Sequence, residues 1–228
     1  MHSGCGQVIE LILESGEVQA RIACPPHLIP APGQYLLASS ASFLDPLPVP
    51  LFSTESTPLG FIACAPIPKT WTPGAEIALR GPLGRGFALP PSARKVALIP
   101  FDGKADRLKA LIQPALQQGA GVALVSDLDV ERLPDEVEVQ PFSLLEEVLA
   151  WADYAAFDVL RENLPGLRER LGGSSQVWAG KEAQVLVRTP MPCGGVAECG
   201  VCAVTLKSGW KLACKNGPVF DWAEIPAG

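Results

Sequence analysis

The chain has 228 residues, 48% of them hydrophobic, and a net charge of -6. At roughly 100 to 200 residues per domain, that length supports one generous core or two modest ones with a small appendage. The acidic balance and the lack of any Lys/Arg cluster remove the electrostatic basis for binding nucleic acid or an anionic membrane surface, and no apolar run approaches the roughly 20 residues that span a bilayer.

The chain opens with His2-Ser3-Gly4-Cys5, without the basic patch and apolar stretch of a secretory signal, so a cytoplasmic location is expected. From Gln7 to about Leu89 the pattern is one of short strands (QVIELILE, EVQARIAC, QYLLASS, LGFIAC and EIALRG) cut by Gly16, the Pro/Gly stretch 25–33 and Pro73-Gly74. Strands at this spacing predict a small antiparallel barrel. After Pro90-Pro91 the rhythm changes. Strand KVALIP, a helix over Arg107 to Gln118, strand GVALVSD, a helix over Phe142 to Trp151 and a further helical segment through Arg170 predict an α/β layer with a parallel sheet. Gly-Gly-Ser-Ser at 172–175 is followed by strands QVWAG and AQVLVR, and then by a compact cysteine-bearing tail.

Seven cysteines in an intracellular chain point to metal or redox chemistry rather than a disulfide framework. Cys5, Cys24 and Cys64 are scattered and read as small buried hydrophobes in or beside strands. The other four, Cys193, Cys199, Cys202 and Cys214, form a C-x5-C-x2-C-x11-C run near the C-terminus. An iron-sulfur cluster needs four thiolates converging from one folded loop, and the plant-type C-x4-C-x2-C run with a distant fourth cysteine provides that. Glycines at 194, 195 and 200 let the backbone curl tightly and aim amides at the sulfurs. A structural zinc site also takes four thiolates, but zinc ribbons usually present two C-x2-C pairs and only Cys199 and Cys202 form one here.

At these residues the chain resembles the electron-transfer, iron-sulfur flavoprotein subunit of class 1B dihydroorotate dehydrogenase, within the ferredoxin reductase superfamily. The resemblance rests on Cys193-Gly194, Cys199-Gly-Val-Cys202 and Cys214-Lys-Asn-Gly-Pro-Val-Phe-Asp221. In the barrel it rests on Pro32-Gly33-Gln34-Tyr35 and on Gly81-Pro82-Leu83-Gly84-Arg85-Gly86-Phe87, preceded by Pro73-Gly74. It implies a ferredoxin-reductase-like architecture: an FAD-type barrel over residues 1–91, a degenerate NAD-binding-like α/β domain over 92–182 and a small [2Fe-2S] domain over 183–228. It further implies FAD on Leu51, Phe52, Ser53, Gly84, Arg85 and Gly86, and a [2Fe-2S] cluster on Cys193, Cys199, Cys202 and Cys214. The implied partner is an FMN-bearing catalytic subunit that interconverts dihydroorotate and orotate in pyrimidine biosynthesis.

The sequence departs from that family at defined places. Pro48-Val49-Pro50-Leu51-Phe52-Ser53 lacks the Arg that would pair the FAD pyrophosphate. Ala65-Pro-Ile-Pro-Lys-Thr70 stands where a Gly-Thr element belongs. The turn Phe101-Asp102-Gly103-Lys104-Ala105-Asp106 keeps one glycine and brings two carboxylates where backbone amides should face nucleotide phosphates, and Ala156-Phe157-Asp158 replaces a Cys-Gly-Pro turn. Direct NADH oxidation is therefore expected to be lost. The loop between Cys193 and Cys199 is one residue longer than usual. An iron-sulfur relay that has lost FAD and NADH, and a zinc-stabilised interaction module, are the alternatives.

Smaller signals remain. Trp178 and Trp210 are candidates to shield the cluster, although aromatics beside strands more often simply pack. His2 lies three residues before Cys5 and His27 three after Cys24, a possible second metal site if the two segments meet. No Ser/His/Asp set suggests hydrolytic catalysis.

Overall fold

The computed structural model describes residues 2–40, 44, 45, 47–64, 66–172 and 181–226. Six antiparallel strands close into a barrel: β1 (His2–Glu14), β2 (Glu17–Ala23), β3 (Tyr35–Ser40), β4 (Val49–Thr57), β5 (Gly60–Ala63) and β6 (Glu76–Leu83), in the order β1-β2-β5-β4-β3-β6. The hairpin between β1 and β2 turns on Ser15 and Gly16, both in the left-handed region at φ of +46° and +78°. Two such residues match the right-handed twist of the flanking strands. Along β6, Ile77 and Leu79 point inward while Glu76 and Ala78 face out. That two-residue period packs them with Val8, Ile22, Leu36, Leu51 and Trp71 in the barrel core.

The α/β part follows as β7 (Lys95–Pro100), α1 (Asp106–Lys109), α2 (Ile112–Gln117), β8 (Gly121–Val125), β9 (Val137–Gln140), α3 (Leu145–Trp151), β10 (Tyr154–Leu160), α4 (Leu164–Gly172) and β11 (Glu182–Arg188). The tail adds β12 (Ala203–Leu206), β13 (Gly209–Leu212), α5 (Ala213–Asn216) and β14 (Val219–Asp221). One six-stranded sheet has the order β14-β11-β10-β7-β8-β9, parallel throughout except for β14 at its edge, while β12 and β13 form a separate ribbon. The sheet thus runs across the 182/183 point that divides the sequence units. No helix among the described residues is long and apolar enough to cross a membrane.

Several elements differ from the sequence reading. The stretch read as helical up to Arg170 contains β10, the strand between β7 and β11, and is helical only from the 3-10 turn Arg161–Asn163 into α4. Six of the seven β10 residues are buried. A strand covered on both faces loses its alternation and reads as a continuous apolar run. The helix over Arg107 to Gln118 is two short helices broken at Ala110-Leu111, and Phe142 to Leu144 is a 3-10 turn ahead of α3. β4 was missed because Pro50 sits inside it, and β9 because its four residues, VEVQ, bury only Val137 and leave no apolar run. Cys64 is buried as expected, but Cys24 is half-buried and Cys5 is exposed on β1. The strand expected at QVWAG, and Trp178 within it, lie outside the described residues.

Candidate metal centre

The loop from Cys193 to Cys202 and the short helix α5 bring four thiols together. Cys193 Sγ and Cys199 Sγ are 3.6 Å apart, and Cys202 Sγ and Cys214 Sγ 3.2 Å. The two pairs face differently: Cys202 and Cys214 are buried, Cys193 is half-buried and Cys199 is exposed. Four convergent sulfurs, two of them in the core and two toward solvent, could hold a binuclear iron-sulfur cluster or a tetrahedral zinc. Backbone hydrogen bonds at Ala197 and Gly195 hold the Cys193 thiol down to about 7, so this sulfur is already biased toward the thiolate that metals bind. Burial, followed by the neighbouring Cys202, pushes Cys214 up to about 12 in the metal-free chain.

The local fold explains why this loop sits where it does. Gly194 adopts φ of +49°, and a Cβ there would overlap Leu37 of the barrel, so only glycine lets the loop press onto β3. Arg80 of β6, the register partner of Leu37, holds the loop there, donating from Nη2 to the Gly194 carbonyl at 2.7 Å. Arg161 Nη1 donates to the Val201 and Ala203 carbonyls at 2.7 and 3.1 Å, tying the second turn of the loop to the α/β part. Tyr35, fully buried, donates its hydroxyl to the Cys214 carbonyl at 3.0 Å, and the Ala213 amide donates to the Cys202 carbonyl at 3.0 Å. Val196 and Val201 remain exposed in the loop that carries the thiols, and Trp210 is 66% exposed on β13.

Of the barrel residues singled out for flavin, Phe52 and Gly84 lie against the same tyrosine, whereas the Leu51 side chain packs into the barrel core. Tyr35 pairs with Phe52 in the β3–β4 ladder, their rings 5.8 Å apart, and with Leu83 of β6. Leu51, Phe52 and Ser53 are all buried, and Ser53 Oγ has no hydrogen-bond partner among the described residues. A buried hydroxyl left without a partner suits a polar ligand that completes it, and in that respect the seat fits a flavin. Gly84, Arg85 and Gly86 are engaged by the chain itself. A Cβ on Gly84 would lie 2.5 Å from the Gly217 carbonyl oxygen, and one on Gly86 2.5 Å from that of Pro32. The Arg85 amide donates to Gly217, while its guanidinium pairs with Asp221 at 3.1 Å, strapping barrel to tail.

The degenerate nucleotide turn is likewise filled from within. Asp102 accepts from the Leu160 amide and from Asn163 Nδ2, each at 2.8 Å, and pairs with Arg188. Arg188 Nε also reaches Asp158 at 2.7 Å, and Arg107 Nη1 lies 3.8 Å from the same carboxylate. Asp158 is 1% exposed; burial pushes its carboxyl above the usual range, opposed by the two guanidinium groups. Asp106 turns the other way, accepting from Gln19 Nε2 at 3.2 Å. Sequence reasoning found Asp102 and Asp106 but missed Arg80, Arg107, Arg161 and Arg188, whose partners lie 30 to 114 positions away and leave no local signal. Lone arginines in an acidic chain were the one available hint.

Residues 189–226 match the family described as the iron-sulfur cluster binding domain of dihydroorotate dehydrogenase B. Among solved structures, the chain is similar to an NADH-dependent reduced ferredoxin-NADP oxidoreductase studied for flavin-based electron bifurcation. The TM-score is 0.74 at 16% identity, covering 97% of this chain and 90% of that one. It is also similar to the Amycolatopsis cytochrome P450 reductase GcoB (TM-score 0.59, 12% identity, 79% and 67% covered) and to the ferredoxin reductase in carbazole 1,9a-dioxygenase (0.57, 16%, 75% and 63%). The fold is therefore ferredoxin-reductase-like, as the resemblance in the sequence implied.

Proposed function

We propose that the chain is the electron-transfer subunit of a dihydroorotate dehydrogenase-type complex, a reading supported by the match of residues 189–226 to the iron-sulfur cluster binding domain of dihydroorotate dehydrogenase B. On this reading Cys193, Cys199, Cys202 and Cys214 hold a [2Fe-2S] cluster, and the barrel seats FAD against Phe52, Ser53 and the backbone at Leu51, with Gly84, Arg85 and Gly86 bordering it. The partner is an FMN-bearing catalytic subunit acting in pyrimidine biosynthesis in the cytoplasm. The observation that carries it is the convergence of four thiols within the segment that matches this family. When bound, the cluster supplies one-electron exchange and FAD the junction with two-electron chemistry.

The chain's own residues supply position and environment. Arg80 and Arg161 hold the loop rigid against barrel and sheet, so that loading the metal reorganises little. Tyr35 bridges the two seats: its ring packs on Phe52, beside Ser53, and its hydroxyl holds the Cys214 carbonyl. Ser53 Oγ stands ready to hydrogen-bond the flavin. Cys199, Val196 and Val201 present an exposed, largely apolar rim on which a partner can approach the outer pair of sulfurs. The Asp102–Arg188–Asp158–Arg107 network favours a chain that does not take electrons from NADH itself, since two carboxylates stand where phosphates would need amides.

The test is anaerobic purification with metal and sulfide analysis, followed by co-expression with a dihydroorotate dehydrogenase catalytic subunit from the same genome. About two irons and two acid-labile sulfides per chain, a flavin spectrum and co-purification are expected. Val196→Glu and Val201→Glu should loosen the partner while leaving the cluster spectrum intact. Stoichiometric zinc in native protein would instead make this a colourless interaction module.

A further inference from the structure

The chain contains two histidines, 25 residues apart in sequence, and the fold brings them together: the His2 and His27 rings lie 5.3 Å apart, centroid to centroid, at an interplanar angle of 67°. His2 starts β1 opposite Gly81 of β6. His27 sits in a 3-10 turn, Pro26–Leu28, anchored by fully buried Leu28. Both imidazoles are exposed, and neither ring nitrogen has a hydrogen bond among the described residues. We propose that His2 and His27 form a divalent transition-metal site at this end of the barrel, separate from the thiol cluster.

The geometry suits the chemistry. A zinc-nitrogen bond of about 2.0–2.1 Å places the metal roughly 3.2 Å from an imidazole centroid, and two such rings at a tetrahedral angle of about 109° have centroids about 5.2 Å apart. The observed 5.3 Å edge-to-face approach matches that separation, and imidazole suits zinc, copper and nickel. Sequence spacing alone suggested a four-ligand set with Cys5 and Cys24; the structure supplies only the imidazoles. The two cysteines line a groove whose wall includes neither histidine, and among the described residues no third His, Cys, Asp or Glu side chain joins the two rings as a ligand. Water therefore completes the sphere. Such an ion would link the first residue of β1 to the turn after β2 and stabilise the barrel by binding the folded state alone.

The experiment uses the full chain with its cluster loaded, titrated with Zn2+ and followed by calorimetry, imidazole proton NMR and thermal unfolding. With only two histidines, every imidazole signal belongs to the site. One equivalent of Zn2+ should shift both rings together and raise the unfolding temperature without bleaching the visible absorption. His2→Ala and His27→Ala should each weaken binding at least tenfold and abolish the thermal shift, whereas Cys5→Ser and Cys24→Ser should leave both unchanged. Zinc that shifts neither ring, or that binds the histidine variants as tightly as the wild type, would overturn the proposal and leave an edge-to-face ring contact only.

Discussion

Gly194 and Gly200 lie in the same loop and both adopt left-handed backbone, at φ of +49° and +75°, yet their surroundings differ. A Cβ on Gly200 meets nothing within 4 Å, whereas one on Gly194 overlaps the Leu37 side chain and comes within 2.9 Å of Arg80 Nη2. Gly200→Ala therefore costs only the left-handed backbone, about 1–2 kcal/mol. Gly194→Ala carries the same cost plus overpacking of about 1–3 kcal/mol, for a total of about 2–5 kcal/mol. At about 2–4 °C per kcal/mol for a chain of this length, these become losses of roughly 2–8 °C and 4–20 °C. The assay is thermal unfolding of the loaded protein, read by far-ultraviolet circular dichroism and by loss of visible absorption. Equal shifts for the two variants would refute the argument that close approach to β3, rather than backbone geometry alone, requires glycine at 194.

Replacing Cys202 with Ser should bleach most of the visible absorption, while Cys24→Ser and Cys64→Ser should leave it intact; an unchanged Cys202 spectrum would remove that residue from the ligand set. NADH should reduce an artificial acceptor weakly or not at all through this chain, and a turnover on the order of 1 to 1,000 per second would show that the Asp102 turn still admits a nucleotide. Burial pushes the Cys64 thiol up from 9.0 to about 11, so the folded chain holds its proton where the unfolded chain releases it. Stability linked to this thiol is full below pH 9 and falls as pH rises toward 11, by an amount on the order of 2 kcal/mol. Cys64→Ala should flatten that alkaline slope in urea unfolding; an identical slope would contradict the assignment.

Barrel strands and cysteine loop were legible because their signals are local: two-residue alternation, turn glycines and thiol spacing all lie within short windows. Pro50 hid β4, since a proline inside a strand looks like a boundary. β10 was hidden by its own burial, which replaces alternation with a continuous apolar run centred on Ala155, Ala156 and Phe157. The four cysteines could be grouped from spacing, but not their division into a buried and an outward pair. That division depends on Leu37 and Tyr35 of the barrel lying beneath the loop. The arginine clamps were illegible for the same reason, because a guanidinium reaching a carbonyl 114 positions away has no counterpart in any short window. Conversely, the pairing of His2 with His27 was raised from spacing, and only the folded barrel shows that the rings meet while the thiols do not join them.

The last strand, β14, pairs antiparallel with β11 at the edge of the main sheet. Because β14 follows every other strand of this sheet in chain order, the edge stays open until it is made, with the unpaired amides and carbonyls of β11 exposed to any neighbouring chain. Closing the sheet also places Cys214, five residues upstream of Val219, against the barrel. Completion of the edge and delivery of the fourth thiol thus become one event, and a nascent chain truncated before Val219 would be both uncapped and prone to associate through its exposed strand.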